Sequence, residues 1–354
     1  MKILLVRLRL IGDVVFTTPV IAALRRHYPD AHLAYVVEPA AAPVVAGNPH
    51  LDEVIAIPHR RGLARLRDDL TAGRRLRRGR FDVAIDMHGG PRSAWLTWMS
   101  GAPKRIGYSI PGRRWMYTDV IHRPADLAPR HSVLNQADLL APLGIAGCDP
   151  AREPMEMPED AAVRERIDQR LRERGIGASD PIAVIHVSAG NPFRRWPASS
   201  FVALAVALVR RDPRRRVILV SGPSEHSAAA DVMKAARAAL PADAADAVSA
   251  GEYDLPELRA LVARAAVYIG GDSGPLHVAA TTRTPIVELL GPTLGERSRP
   301  WRAPQWFSEV VDVAGLDCRP CQQRHCVPGD FRCLTGISPD RVIDAAERAI
   351  RHGV

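Results

Sequence analysis

The feature that most constrains the fold is an alternation of short β-branched runs with helical patterns, which starts twice along the chain. In the first half, strand-like runs occupy residues 3–8, 33–37, 53–57 and 81–86. A helical pattern at residues 14–27 and another around Leu63, Leu66, Leu70 and Leu76 separate them. Strands that alternate with helices predict a parallel, doubly wound sheet.

The second half repeats this organisation after a segment without periodicity. Residues 148–160 are rich in Pro, Glu and Met and predict a linker. Beyond them, strands are predicted at 182–187, 217–221, 266–269 and 286–290, and helical patterns lie between them. We therefore predict an α/β protein of two Rossmann-like, doubly wound domains that face a central cleft. Residues 1–155 form the first domain, residues 156–336 the second, and a last helix within 337–354 is expected to pack back on the first.

Several classes of protein are disfavoured by what the sequence lacks. The chain has neither a G-x-x-x-x-G-K-[ST] phosphate loop nor a G-x-G-x-x-G fingerprint, which argues against an ATPase or a dehydrogenase. The apolar run at residues 1–6 is too short for a signal peptide, and Arg7 and Arg9 interrupt it. No apolar stretch approaches the ~20 residues that span a bilayer. We expect a cytoplasmic protein that at most rests on a membrane surface.

Positive charge is concentrated in one segment. The net charge is +9, and nine arginines, Arg60 and Arg61 among them, fall within residues 59–80. Such a cluster attracts phosphates, acidic lipid headgroups or nucleic acid, and it also occurs on solvated helix faces. The sequence leaves these alternatives open.

Three predicted strand ends carry residues suited to chemistry. Asp13 follows the first strand, where its carboxylate would act as a general base or as a helix N-cap. The strand before Gly270 leads into Asp272, Ser273, Gly274 and His277, and the backbone N–H groups of such a helix start favour an anion. The loop after residues 182–187 carries Arg194 and Arg195, whose guanidinium groups suit a pyrophosphate. Ligands of doubly wound sheets bind at the carboxyl ends of strands, so we expect all three at the cleft.

Three segments resemble one enzyme family. LVRLRLIGDVVFTTPVIAALRRHYP at the N-terminus, RRWPASSFVALA in the middle, and GGDSGPLHVAA followed by RTPIVELLGPT are similar to the lipopolysaccharide heptosyltransferases of glycosyltransferase family 9. The resemblance runs over essentially the whole chain. It implies a GT-B fold, with the acceptor bound mainly by the first domain and the nucleotide sugar by the second.

The resemblance also implies an inverting transfer of heptose from ADP-heptose to the inner core of lipopolysaccharide, in the Kdo and heptose region. No metal and no further cofactor is expected. Asp13 matches the family's base. Asp272, Ser273, Gly274 and His277 match the loop around the donor, Arg194 stands where the family usually has Lys, and Glu225 is similar to a donor-site acid. Arg195 remains an alternative to Arg194.

The acceptor implied by the resemblance is an anionic glycolipid at the inner face of the cytoplasmic membrane, so peripheral membrane contact is expected and nucleic-acid binding is not. The candidate acceptor-binding residues are Gly12, Thr17, Arg60, Arg61, Arg92, Arg105 and Arg113. A family member with a protein or another glycan as acceptor, and a sugar-nucleotide epimerase on the same fold, remain alternatives. A nucleic-acid-binding protein ranks below both, because the arginine-rich segment lacks interleaved aromatic residues.

The cysteines form a separate motif. Cys318, Cys321, Cys326 and Cys333 lie close together in the sequence, and four thiols suit a tetrahedral zinc or iron. The spacing is tighter than in most paired zinc knuckles. We therefore predict no catalytic metal and keep these four residues as a candidate structural site.

Overall fold

The structure is a computed structural model that describes residues 1–123, 128–187, 191–222 and 225–353. The predicted loop residues 188–190 and 223–224, and the last residue of the predicted 337–354 segment, lie outside the described residues. The chain divides into two compact units, Met1–Pro158 and Glu159–Val354.

Unit 1 contains a six-stranded parallel sheet in the order β3-β2-β1-β4-β5-β6. Its strands are β1 (Lys2–Val6), β2 (His32–Val37), β3 (Glu53–Ala56), β4 (Val83–Asp86), β5 (Lys104–Tyr108) and β6 (Asp119–Ile121). Its helices are α1 (Ile11–Val15), α2 (Thr18–His27), α3 (Gly62–Arg78), α4 (Pro91–Met99) and α5 (Ser132–Ala137). Residues 3–6 of β1 are fully buried, as expected for a central strand covered on both faces.

Unit 2 repeats the architecture with the strand order β12-β11-β10-β7-β8-β9. Its strands are β7 (Ile182–His186), β8 (Arg216–Ser221), β9 (Val248–Glu252), β10 (Val267–Gly271), β11 (Ile286–Leu290) and β12 (Ser308–Asp312). Its helices are α6 (Ala161–Glu173), α7 (Ala198–Arg211), α8 (His226–Ala238), α9 (Leu255–Ala263), α10 (Gly274–Ala279), α11 (Gly295–Ser298), α12 (Arg332–Thr335) and α13 (Pro339–His352). The predicted α/β class and the two doubly wound, Rossmann-like sheets are confirmed.

The burial of two helices, α13 and α3, bears on the sequence predictions. Helix α13 buries Val342, Ala346 and Ala349 in the core of unit 2 and packs on α7, β10, β11 and β12, so its apolar face is already covered within that unit. The expected return of this helix to the first domain stays a prediction. In α3, Leu63 is 86% and Leu66 53% exposed, and the helix instead buries Ala72, Gly73 and Leu76.

Candidate active site

In each unit the strand order reverses between two central strands, β1 and β4 in unit 1 and β7 and β10 in unit 2. At such a switch point the loops of neighbouring strands part and leave a crevice, which is where doubly wound sheets bind ligands. Asp13 lies in α1, just after β1. Arg194 follows β7 and Asp272 follows β10. The residues predicted from strand ends therefore lie at both switch points.

Asp13 is the third residue of α1 and not its N-cap, which is Leu10. Its carboxylate forms an ion pair with Arg7, with 2.5 Å between Nη2 and Oδ2, and accepts a longer hydrogen bond of 3.4 Å from the Leu10 backbone N–H. The Asp13 side chain is 38% exposed, so one side of the carboxylate faces solvent. A half-exposed carboxylate with a fixed orientation is suited to receive a proton from a bound hydroxyl.

Asp13 and Arg7 line a cavity of about 310 Å³ in unit 1, together with His88, Arg123 and Asn135. Burial lowers the pKa of His88 and the charge of Arg7 lowers it further, which favours a neutral imidazole. The Arg123 guanidinium lies 3.7 Å from the centre of the Tyr108 ring and donates to the Asn135 carbonyl. The cavity therefore combines one carboxylate with two cations, a composition that suits an anionic, hydroxyl-bearing ligand.

His88 and Arg123 are not among the residues predicted from the sequence. A signal for His88 existed, because it follows β4 in the segment Asp86-Met87-His88-Gly89-Gly90, another strand end with glycines. Asp86 shapes this loop: one carboxylate oxygen accepts from the backbone N–H groups of His88 and Gly89, and the other from the Tyr117 and Ser93 hydroxyls. Asp86 is thus fully buried and fully hydrogen-bonded.

Several predicted acceptor residues have internal partners instead. Arg92 is 7% exposed and donates to Asp69, Glu38 and the Pro58 carbonyl. Thr17 is fully buried and bonds to the Val14 carbonyl and the Tyr35 hydroxyl.

The polar atoms of Arg92 and Thr17 are thus engaged inside the unit, and their acceptor-binding role stays a prediction. Arg105 likewise donates to the carbonyls of Ala102 and Met116.

The other acceptor candidates lie in different settings. Gly12 is buried in α1. Arg60 is exposed and pairs with Asp68 at 3.4 Å, and Arg61 is the exposed N-cap of α3. Arg113 is partly buried just before the short helix at Arg114–Met116. None of these four lines the Asp13 cavity within the part of the chain that is described.

In unit 2, Asp272 organises the second cluster. It is 5% exposed; its carboxylate accepts from the Thr293 hydroxyl at 2.7 Å and lies 3.4 Å from Nε2 of His277. Burial alone would raise the pKa of Asp272, but hydrogen bonding and charge from His277, the charge of Arg194 and the Thr293 bond lower it to about 2. The residue is therefore a carboxylate at any physiological pH.

The structure distinguishes Arg194 from Arg195. Arg194 Nη1 donates to the Asp272 carbonyl at 2.5 Å and lies 3.6 Å from its carboxylate, while Nε donates to Gln323 at 3.0 Å. Arg195 is exposed, and among the described residues its side chain has no hydrogen-bond or ion-pair partner. Only Arg194 is thus held against the Asp272 loop.

The remaining predicted residues of this cluster lie at neighbouring strand ends. The Ser273 hydroxyl donates to the Gly271 carbonyl, and Gly274 is the first residue of α10. Glu225 is the N-cap of α8 and is 9% exposed. Since β8 lies beside β7 and β7 beside β10, the loops that carry Glu225, Arg194 and Asp272 leave adjacent strands at the same sheet edge.

Three buried polar residues, His186, Tyr268 and Glu288, lie in the strands below these loops. Parallel pairing places Gly270 of β10 opposite Glu288 of β11. On the other side of β10, Ile269 pairs with Ile185 of β7, which places the next residue, His186, beside Gly270. A Cβ at Gly270 would lie 2.9 Å from the Tyr268 hydroxyl and 3.1 Å from His186 Cβ.

Both carboxylate oxygens of Glu288 are buried without a hydrogen-bond partner among the described residues. Burial and the charge of Asp272 raise the pKa of Glu288 well above its usual value. Sequence patterns gave no signal for this residue, which occurs within an otherwise apolar strand.

A family model described as Glycosyltransferase family 9 (heptosyltransferase) matches residues 70–330, well over half of the chain. The chain belongs to glycosyltransferase family 9. Lipopolysaccharide heptosyltransferase 3 of Escherichia coli strain K12 is 26% identical over 345 residues, which cover 96% of this chain and 95% of that protein. Lipopolysaccharide heptosyltransferase 2 of the same strain is 23% identical over 358 residues, which cover 97% of each chain.

Solved structures have the same fold. The family 9 glycosyltransferase of Veillonella parvula DSM 2008 is similar with a TM-score of 0.83 and 23% identity, over 99% of this chain and 97% of that one. The ADP-heptose lipopolysaccharide heptosyltransferase II of E. coli has a TM-score of 0.77 and 20% identity, over 99% of both chains. The predicted GT-B fold class is thereby confirmed. As a family 9 member, the chain is a glycosyltransferase and not the epimerase that the sequence left as an alternative.

The cysteines of this family 9 chain converge on one cavity. All four are partly buried free thiols that line a space of about 400 Å³, together with Phe193 and Phe331. Burial raises the pKa of Cys333, and the neighbouring thiols raise it further. Over the residues that the structure describes, no three His, Cys, Asp or Glu side chains are arranged to hold a metal ion. The candidate structural metal site stays a prediction.

No helix in the described part of this glycosyltransferase has both the length and the apolar character needed to cross a bilayer.

Proposed function

We propose that this glycosyltransferase transfers heptose from ADP-heptose to the inner core of lipopolysaccharide with inversion at the anomeric carbon. The observation that carries the proposal is a pair of polar sites, each at the switch point of one Rossmann-like sheet. Unit 1 has a single carboxylate among cations, and unit 2 has an Arg194–Asp272–His277 cluster. The curated relatives support heptose transfer in lipopolysaccharide synthesis in general.

In the proposed reaction, Asp13 takes the proton of the acceptor hydroxyl as its oxygen attacks the anomeric carbon. The bond from that carbon to the β-phosphate oxygen of ADP-heptose breaks, and ADP leaves with the electron pair. Arg7 keeps the Asp13 carboxylate in one orientation through its 2.5 Å ion pair. A base on one face of the sugar and a leaving group on the other give inversion.

The leaving diphosphate gains negative charge, which a preorganised cation stabilises more in the transition state than in the ground state. Arg194 is the candidate, because its hydrogen bonds to Asp272 and Gln323 hold the guanidinium at the strand edge. Asp272 and Thr293 orient His277 and the loop at Ser273 beside it. Glu225 is proposed to contact the nucleoside part of the donor.

The proposed acceptor is an anionic glycolipid, so the enzyme is proposed to act at the inner face of the cytoplasmic membrane with peripheral membrane contact. No metal or further cofactor is proposed for the transfer.

The test is ADP release from ADP-heptose with and without a Kdo-terminated lipid A acceptor. For the base, Asp13→Asn is compared with Asp30→Asn, an exposed aspartate of the same unit. We expect acceptor-dependent release that Asp13→Asn lowers by about 10²–10⁴-fold and Asp30→Asn leaves unchanged. Release that survives Asp13→Asn would remove Asp13 from the mechanism.

The adjacent arginines form a second matched pair. Arg194→Ala is expected to lower kcat/KM for ADP-heptose by roughly tenfold to a hundredfold, since a hydrogen bond to a charged group is lost, and Arg195→Ala is expected to change it little. Equal effects of the two substitutions would contradict the donor assignment. Absence of ADP-heptose binding to the wild type would overturn the proposed donor.

A further inference from the structure

The outer surface of unit 1 exposes an unusual number of large apolar side chains in one place. Seven large hydrophobic residues are exposed in the described chain, and four of them, Leu63, Leu66, Trp98 and Trp115, lie on α3, α4 and the short helix Arg114–Met116. These three elements pack side by side, α3 on α4 and α4 on the short helix. Soluble monomers rarely group exposed apolar residues in this way without a binding role.

The tryptophans form one continuous cluster. The Trp95 and Trp98 rings are 5.2 Å apart, and the Trp98 and Trp115 rings 5.9 Å apart, between centroids. Trp98 is 40% and Trp115 60% exposed, so the cluster opens to solvent and does not belong to the core.

The leucines continue this surface along α3. Leu63, Leu66 and Leu70 are spaced three and four residues apart, on the flank of α3 that also carries Gly73. Met99 of α4 packs directly on Gly73, because a Cβ at that glycine would lie 2.4 Å from the methionine methyl group. The leucine flank therefore borders α4, and leucines and tryptophans share one layer.

Only part of the positive charge of this layer is neutralised by neighbouring carboxylates. In α3, Arg65 and Arg75 pair with Asp69 and Glu53. The arginines of the layer that are exposed and have no ion-pair partner within the described residues are Arg67, Arg74, Arg77, Arg78 and Arg114. Residues 87–118 contain no Asp or Glu at all.

We propose that this layer, the outer face of α3, α4 and residues 114–116, is a docking surface for an anionic lipid bilayer. Tryptophan rings favour the headgroup region, where an apolar body and a polar edge are both accommodated. Unpaired arginines are attracted to the anionic surface and reach lipid phosphates. Exposed leucines add apolar area that enters the boundary of the acyl chains.

Two other partners fit the layer less well. A symmetric dimer through this face would bring the unpaired arginines of both copies together with no carboxylate to meet them, which is repulsive. A nucleic acid would use the cations and the rings but would leave Leu63 and Leu66 without a role. The inference rests on the proposed membrane-borne acceptor, but lipid binding can be measured without donor or acceptor.

The test is co-sedimentation of the full-length protein with extruded vesicles of phosphatidylcholine alone or with about one third phosphatidylglycerol. We expect binding to the anionic vesicles that weakens at high salt. Arg74→Gln/Arg78→Gln should weaken it by about 25-fold, from roughly fivefold for each charge removed. The matched control is Arg166→Gln/Arg174→Gln, which removes two exposed arginines without ion-pair partners from the described part of unit 2 and should leave binding unchanged.

Trp98→Ser/Trp115→Ser tests the aromatic part of the layer and should also weaken binding to the vesicles. A thermal melt of this variant that matches the wild type checks that it is folded. The proposal is overturned if the wild type does not bind anionic vesicles, or if the layer variants bind these vesicles as tightly as the wild type does. It is equally overturned if the tryptophan variant abolishes a dimer in sedimentation velocity, or if an oligonucleotide binds more tightly than vesicles do.

Transfer assays separate this inference from the proposed function. The layer variants should keep wild-type kcat/KM on an acceptor dispersed in detergent and lose activity on the same acceptor embedded in vesicles. Vesicle binding without transfer to either acceptor by the wild type would contradict the proposed function and leave the docking surface standing. Transfer to both acceptors by a wild type that does not bind vesicles would contradict the docking surface and leave the proposed function standing.

Discussion

Glu288→Gln gives the sharpest test of the electrostatics beneath the Asp272 loop. Glu288 is fully buried in β11, and neither of its carboxylate oxygens has a hydrogen-bond partner in the described structure. Burial and the nearby charge of Asp272 raise its pKa, and the charges of Arg319 and Arg194 oppose this only in part. The folded protein therefore favours the neutral acid form of Glu288 up to a higher pH than the unfolded chain does.

The sign of the effect on stability follows from proton linkage. In the unfolded chain a glutamate titrates near a pKa of about 4.3, so above that pH the folded protein holds one proton more than the unfolded chain. The free energy of unfolding then falls as pH rises toward the folded-state pKa, by about 1.4 kcal/mol per pH unit. Glutamine has nearly the same shape and does not titrate, so the variant lacks this dependence.

The assay is urea-induced unfolding of wild type and Glu288→Gln over a series of pH values. Between about pH 5 and pH 7 the variant should gain up to about 2.6 kcal/mol relative to wild type, if Glu288 stays protonated over that range. Glu173→Gln, an exposed position of unit 2, is the control and should show no such trend. A difference between Glu288→Gln and wild type that is the same at every pH would refute the reasoning.

Two further predictions concern the packing that supports the unit 1 cavity. Arg92→Leu removes the buried cation that Glu38 and Asp69 share, which leaves them only the more exposed His59 and Arg65, and should lower the free energy of unfolding by about 3–5 kcal/mol, measured by urea unfolding; a loss below about 1 kcal/mol would contradict the structural role. Gly107→Ala would place a Cβ 2.4 Å from the Tyr117 ring and should cost about 1–3 kcal/mol, seen as a lower Tm; an unchanged Tm would show that the ring moves away easily.

Most interior strands of both sheets and the edge strand β3 were predicted, whereas the interior strand β5 and the other three edge strands were not. Strands β1, β4, β7, β10 and β11 are apolar runs that lie within buried surroundings, so their composition alone marks them. The edge strands β6, β9 and β12 were not predicted. Each has a neighbour on one side only and consists mostly of partly buried residues, so its sequence differs little from a loop.

Candidate site residues were predictable where their role follows from their place after a predicted strand. Asp272 follows β10 directly and Asp13 lies in the helix after β1, and the topology of doubly wound sheets brings strand ends to a ligand-binding edge. The sequence alone also determined the two-sheet α/β class, because the alternation of strand and helix restarts after a linker.

Only the tertiary structure decided which side chains meet. Arg194 contacts the Asp272 loop from 78 residues away, whereas the adjacent Arg195 is exposed, and nothing local distinguishes two neighbouring arginines. Arg92 resembled a binding residue in the sequence and is an internal partner of Glu38 and Asp69. A residue's type restricts what it can bind, but its burial and partners depend on segments distant in sequence, which meet only when the sheets assemble.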